Sequence, residues 1–373
     1  MKRLCALIAA IMVLSGCVPH AELDKIAISE IMGVDRDSSG YTLTLQYFNT
    51  DASGGVTAVD SSAPNAVTVT GSGPTPEAAL ESLAFTSGRN IMLGALEIIV
   101  FGSGEDVSVT DRLSIAASHY SGNPRCYVAF ADGKAADVLN VKFTEGNASV
   151  DKLEGMMQNA EELGLNCTMR LYEAMEMLSE PTRSLVVPLM KVYQANSDYT
   201  EDGSNITLTG GALCTDDKFA DKLTEAEMSG VQLLNHRNGT CEMTFSINGE
   251  DARVILYGIS SELTPALTED GLDLHFTVTA DCKYVGTSIS DPYKAKDKLR
   301  ELCEHEMSAR ITSALTKALT MHGADIFSLG YKIRSHSPEM WRSIADNYRE
   351  ALKGARITVD CAVSIERFGV VHG

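Results

Sequence analysis

The sequence predicts an α+β protein of more than one domain, with mixed sheets in its first half and an antiparallel sheet packed against a long helix in its second. Three patterns carry that prediction. Leu272, Leu274, Phe276, Val278, Ala280, Cys282 and Tyr284 alternate strictly with polar residues, which is the period of a half-buried strand. Leu299, Cys303, Met307, Ile311, Leu315 and Ala318 recur every three or four residues, one apolar stripe of a helix that opens at Asp291-Pro292 and reaches about His322. In the first half, residues 91–101 read as a continuous apolar run of strand length, set among helical patterns, and so as a buried central strand.

The remaining elements follow in order. Residues 26–34 and 41–48 form a hairpin around Asp35-Arg36-Asp37-Ser38-Ser39-Gly40. An Asp-x-Asp-x-x-Gly run invites a calcium loop, but Gln46 stands where such a loop wants Glu and no helices flank it, so a turn is the better account. Residues 50–66 read as loop and 67–71 as strand. Thr75-Pro76-Glu77 supplies an N-cap, a proline at the first helical position and an acid in the first turn of a helix running to about Arg89. Thr110-Asp111 caps a helix toward His119, and residues 126–130 form a short strand. Helices follow over 150–163 and 168–178, the second placing Leu171, Ala174, Met175 and Leu178 on one face. Residues 185–193 are extended.

In the second half, strands are expected at 205–214, 241–248 and 252–260, with a helix near 223–233. Ser337-Pro338-Glu339 starts a last helix whose one side carries Trp341, Ile344, Tyr348 and Leu352, so Trp341 reads as a core anchor. Ile357, Val359, Cys361, Val363 and Ile365 face one way along a final strand over 356–367.

The first 17 residues have the layout of a bacterial lipoprotein export signal. Lys2 and Arg3 precede an apolar run from Leu4 to Leu14, far below the ~20 residues that cross a bilayer as a helix. Leu14-Ser15-Gly16-Cys17 closes it, with cleavage expected between Gly16 and Cys17 and a diacylglyceryl thioether on Cys17. Residues 1–16 are thus the signal peptide and 17–25 a lipidated tether. An N-terminal α+β domain spans 26–193, a polar linker 194–204, and a C-terminal α+β region 205–373, for which a further division near residue 262 is left open.

Charge and composition narrow the function. Loss of residues 1–16 leaves 29 Lys+Arg against 50 Asp+Glu, a balance of −21. Such a surface does not suit nucleic acid, and it favours docking on a membrane protein over spreading on anionic lipid. Beyond the signal, Cys126, Cys167, Cys214, Cys241, Cys282, Cys303 and Cys361 are odd in number and widely spaced, neither a disulfide framework nor a zinc module. A Cys214–Cys241 bridge is conceivable from adjacent strands, but buried thiols are the preferred account. No His-Glu-x-x-His, Gly-x-Ser-x-Gly, Walker or dinucleotide motif is present. Glu304-His305-Glu306 and His322 have the wrong spacing for a shared metal, and Glu161-Glu162 and Asp216-Asp217 read as solvated pairs. Neither a catalytic residue, a metal ligand nor a cofactor is assigned.

Three stretches together resemble the Ger(x)C family, the lipoprotein C subunit of spore nutrient-germinant receptors. The first runs from Cys17 through Glu22-Leu23-Asp24-Lys25-Ile26-Ala27-Ile28 to Gly33-Val34-Asp35. The second is Gly71-Ser72-Gly73-Pro74-Thr75-Pro76-Glu77-Ala78-Ala79-Leu80 with Gly88-Arg89. The third combines Leu208-Thr209-Gly210-Gly211-Ala212-Leu213, Ala324-Asp325-Ile326-Phe327-Ser328-Leu329-Gly330, Pro338-Glu339-Met340-Trp341 and Gly369. Val18-Pro19 stand where the family typically has Trp-Asp. The resemblance implies a non-enzymatic subunit on the outer face of the spore inner membrane, partnered by integral membrane A and B subunits, with no small-molecule substrate of its own. The alternatives are a lipid-anchored solute-binding protein, which would bind amino acids or sugars in isolation, and an anchored envelope hydrolase, which would show turnover.

Overall fold

The structure is a computed structural model and describes residues 25–48, 66–103, 108–118, 122–143, 149–195, 203–235, 239–247, 249–285 and 292–368. β1 (Ile26–Asp37) and β2 (Gly40–Phe48) make the predicted hairpin, and the Ser39 N–H donates to Asp37 Oδ1 at 2.7 Å to hold the turn. Asp35 lies in β1 rather than in a loop. Its carboxylate accepts the N–H groups of Ala135 and Ala136 at 2.8 and 2.9 Å, capping α3 (Ala135–Leu139), a short helix that has no sequence signature.

β3 (Ala66–Gly73) pairs with β2, and α1 (Pro76–Ser87) begins as predicted, with Thr75 Oγ1 accepting the Ala78 N–H at 3.2 Å. It ends at Gly88, whose left-handed φ of 64° suits glycine. The central strand expected over 91–101 is instead two strands, β4 (Asn90–Met92) and β5 (Ile98–Gly102), both parallel to β1. The interruption has a chemical cause. Gly94 weakens the strand and Glu97 brings a carboxylate that a doubly covered sheet will not take, so the chain turns out at Leu93 and returns where the Glu97 N–H donates to the Glu30 carbonyl at 2.9 Å.

α2 (Val109–Ser118) is capped by Ser108, whose Oγ accepts the Asp111 N–H at 2.9 Å, two residues before the expected cap at Thr110. β6 (Tyr127–Ala131), α4 (Ser149–Glu162), α5 (Leu171–Ser179) and β7 (Leu185–Gln194) fall where the pattern placed them. β8 (Ser204–Thr215) and β9 (Lys218–Leu223) complete a nine-stranded sheet of order β3-β2-β1-β5-β6-β7-β8-β9, with β4 beside β1. Its centre, β1-β5-β6-β7, is parallel and its flanks antiparallel. Separate apolar cores cover the two faces.

β7 and β8 pair with each other on either side of residues 194–204, from Leu185 opposite Cys214 to Gln194 opposite Ser204. The sheet therefore runs across the stretch expected to be a linker, and the strand expected to open the second domain belongs to the first sheet. Polar composition marks a long hairpin connection as well as a linker, which is why the two read alike.

The second sheet has the order β10-β11-β12-β13. α6 (Glu225–Asn235) leads into β10 (Thr240–Ile247), β11 (Glu250–Thr268) and β12 (Gly271–Tyr284), all antiparallel. β11 is longer than its predicted end at 260 and passes through Pro265; Glu262, where a division was left open, lies mid-strand opposite Thr277. Beyond Tyr257 it has lost β10 as a second neighbour, the setting in which a strand tolerates proline. α7 (Pro292–Leu315) buries the whole predicted stripe and packs on β13 (Arg356–Phe368). β13 is parallel to β12, so the sheet is antiparallel over three strands and closed by a parallel fourth, the geometry a helical crossover imposes.

Between α7 and β13 the chain makes a π-turn (Thr316–Met321), then α8 (Leu329–His336), α9 (Pro338–Ile344) and α10 (Tyr348–Lys353), where the sequence predicted one long helix from Ser337. The Trp341 and Tyr348 rings meet edge to face at 5.1 Å, which places Trp341 against the core as expected. Cys214 and Cys241 are free thiols in different cores.

Candidate functional site

Gly16 and Cys17 lie outside the described residues, which begin at Lys25, directly ahead of β1. β1 begins at Ile26, which pairs in parallel with Asn90, so the start of β1 lies at the same end of the sheet as the last turn of α1. Among the described residues no helix is long and apolar enough to cross a membrane.

The motifs behind the family resemblance turn out to build the scaffold. A Cβ at Gly71 would stand 2.6 Å from the Ala79 carbonyl oxygen, and one at Gly73 would stand 2.6 Å from the Ala79 nitrogen, so the pair lets α1 lie directly on β3. Gly210 has φ +119° and sits against the Leu223 carbonyl, where β9 crowds β8.

Asp325 is the densest polar node. Its side chain is about wholly buried and accepts from four donors: the N–H groups of Phe327 (3.2 Å), Leu329 (2.9 Å) and Gly330 (2.9 Å), and the Tyr348 hydroxyl (2.9 Å). It thus starts α8 and ties it to α10. Burial pushes this carboxyl up, against the opposing pull of those donors, and burial with the Asp325 charge pushes the Tyr348 hydroxyl up. The Asp325 carbonyl accepts the Ser184 N–H at 2.9 Å, so the same residue joins the two sheets.

The junction continues through charged groups. Lys317 of the π-turn donates to the Lys222 carbonyl at 2.5 Å and lies 3.6 Å from Asp221 and 3.7 Å from Glu227. His322 meets Asp221 at 3.0 Å. Burial raises the Asp221 carboxyl, but the Lys222 N–H, His322 and Lys317 outweigh it and hold the group below the usual carboxylate range. Of Asp216 and Asp217, read from sequence as a solvated pair, Asp216 is exposed and pairs with Arg349, whereas Asp217 is structural and accepts the Thr110 N–H at 2.7 Å at the head of α2. No sequence signal distinguishes them, because their partners lie about a hundred or more residues away.

At the tether end of the first sheet, burial pushes the Glu30 carboxyl up, and Glu97 and Asp151 push it further. Glu97 rises for the same first reason, with Glu154 and Asp151 beside it. Among the described residues no group of three or more His, Cys, Asp or Glu is arranged to hold a metal ion. A cavity of about 330 Å³ opens between the outer half of the β11–β12 hairpin and α8, lined by Leu263, Pro265, Phe276 and Phe327 with Lys332 and His336. Burial lowers the Lys332 ammonium, partly offset by Asp325. Cys126 and Cys214 have thiols pushed up to about 12 by burial, which makes them inert packing groups rather than nucleophiles.

Comparison with known proteins agrees with this scaffold. The model for the spore germination protein N-terminal domain matches residues 19–192, and that for the spore germination B3/GerAC-like C-terminal domain matches residues 209–369. Residues 193–208 lie between the two matches, and the first sheet pairs across them. Spore germination protein YndF of Bacillus subtilis (strain 168) is 20% identical over 391 residues, 96% of this chain and 94% of that one. The crystal structure of the GerBC protein has the same fold, with a TM-score of 0.58 at 16% identity over 90% of this chain and 97% of that chain. With both halves matched in order, and with the glycines and Asp325 of the motifs holding the scaffold together, the chain belongs to the GerAC-like family of spore germination proteins.

Proposed function

We propose that this protein is a non-enzymatic lipoprotein subunit of a spore nutrient-germinant receptor. Acylated Cys17 holds it on the outer face of the spore inner membrane, where it docks on the integral membrane A and B subunits and is required for the response to nutrients. The observation that carries this reading is the two-part family match along nearly the whole chain behind a Leu14-Ser15-Gly16-Cys17 box. Described titratable groups at the junction fit this reading, since Asp325 and Asp217 cap helices and Lys317 joins the two sheets. The lipid keeps the body at high local concentration beside its partners, so docking is nearly intramolecular and protein surfaces need supply only specificity.

Spores carrying Cys17→Ala are expected to contain a folded protein that is lost from the inner-membrane fraction and to germinate poorly with nutrient. Normal nutrient germination by such spores overturns the anchoring part of the proposal. Co-purification of the A and B subunits with the detergent-solubilised protein tests the assembly part. The cavity beside Lys332 and His336 favours a solute-binding role. Calorimetry of the protein against amino acids and sugars decides it, micromolar binding supporting the solute-binding reading.

A further inference from the structure

Phe85 is 87% exposed, the most exposed large apolar side chain among the described residues. A single exposed apolar residue is ordinary on a soluble surface. Its position makes this one informative. α1 buries Ala79 and Leu83 toward β3, and Phe85 projects from the opposite side in the final turn. Only Gly88 and Arg89 separate that turn from β4, whose Asn90 pairs with Ile26, the first residue of β1. The same end carries the close of β2, where Phe48 pairs with Ala66. Among the described residues no atom lies within 4 Å of a Cβ built at Gly88, so nothing described covers the turn.

The tether fixes what this end faces. Residues 18–25 span under about 30 Å even fully extended, at roughly 3.3 to 3.6 Å each. A body leashed so tightly at Ile26 presents the Ile26 end of its sheet to the bilayer. Lys25 and Arg89 stand at this end together with the carboxyls of Glu30 and Glu97, and the Arg89 guanidinium lies 5.5 Å over the Tyr47 ring. An aromatic ring flanked by cations is the residue pairing that settles at the headgroup level of an anionic leaflet.

We infer that the last turn of α1, led by Phe85, rests in the lipid headgroup layer beside the anchored Cys17, an inference that depends on the anchoring proposed above. The contact turns a point tether into a two-point seat and sets which face of the body is turned toward its membrane partners.

The test uses the full acylated protein in vesicles of phosphatidylglycerol and phosphatidylethanolamine with brominated acyl chains. Phe85→Trp is compared with the parent, whose sole tryptophan, Trp341, serves as the internal reference. Phe85 makes no core contact, so the substitution leaves the fold intact, and thermal unfolding of the variant checks this. The expected result is flotation with the vesicles, a blue shift of the added emission, and its loss on bromination while the Trp341 signal persists. If the variant floats but its added emission stays at the solvent wavelength and unquenched, the headgroup contact is overturned, the anchor stands, and Phe85 is left to face a protein. If neither protein floats, the acyl anchor itself fails and the contact fails with it.

Discussion

The two sheets solve the same problem in different ways. The first is covered on both faces, so β5 and β6 are buried at every position, and its parallel centre is sealed by one core on each side. The second is covered by α7 on one face only, so along β12 buried and open positions alternate from Leu272 to Tyr284. One sheet is a packed slab whose central strands have no free side. The other keeps a solvated face and, beyond Tyr257, a free edge on β11. The difference teaches where each can work: the slab positions the tether end, while open surface for contact lies on the second sheet and its helices.

The junction at Asp325 gives the sharpest way to break this comparison. Asp325→Ala leaves three backbone donors and the Tyr348 hydroxyl unpaired in the interior, which costs about 3–5 kcal/mol. The expected outcome by calorimetry is a split transition, the second sheet melting before the first; a single unshifted transition contradicts the role given to Asp325. Next in size are paired substitutions within a strand. Ile98→Ala and Ile99→Ala point to opposite faces of the slab, and each is expected to cost about 2–5 kcal/mol in urea unfolding. On β12 the neighbours behave unequally: Phe276→Ala costs about 3–5 kcal/mol, and Thr277→Ala stays within about 0.5 kcal/mol. Equal costs on β12, or unequal ones on β5, would undo the contrast.

Smaller effects come from pH, and their signs oppose. Asp221 at the junction has its folded pKa lowered, so its contribution is present above the ordinary carboxylate value and is lost as pH falls through the lowered one. Glu30 has its folded pKa raised, so its favourable contribution exists in acid and disappears as pH rises from the ordinary value through the raised one. Glu30→Gln is therefore expected to raise the melting temperature at neutral pH, with the gain vanishing toward pH 4, whereas Asp221→Asn is expected to lower it at neutral pH and to matter least in strong acid. Melting curves of both variants from pH 3 to 8 check the two signs.

What was legible in the sequence follows the same division. β12 and α7 could be read residue by residue, because one solvated face writes a period into the chain. In the slab the signal is absence of polarity, which cannot show that β4 and β5 are separate strands divided by a turn at Leu93. β9, α3 and α8 were missed because they are short; α3 is started by a carboxylate 100 residues away, Asp35, and α8 by Asp325, which stands four residues ahead of the helix rather than at its cap position. The junction was not legible, because Ser184, Asp221, Lys317 and Asp325 meet only after folding. Asp325 could be quoted as part of a familiar stretch, but its work as an acceptor for four donors is visible only in three dimensions.

β1 is bonded along both sides, to β2 on one and to β4 and β5 on the other, and the chain enters it from its first residue. Under the anchoring proposed above, a mechanical load arriving from residues 17–25 is therefore drawn down the long axis of an interior ribbon. It is resisted in shear, by many backbone bonds sharing the force at once, and not by peeling them open one after another.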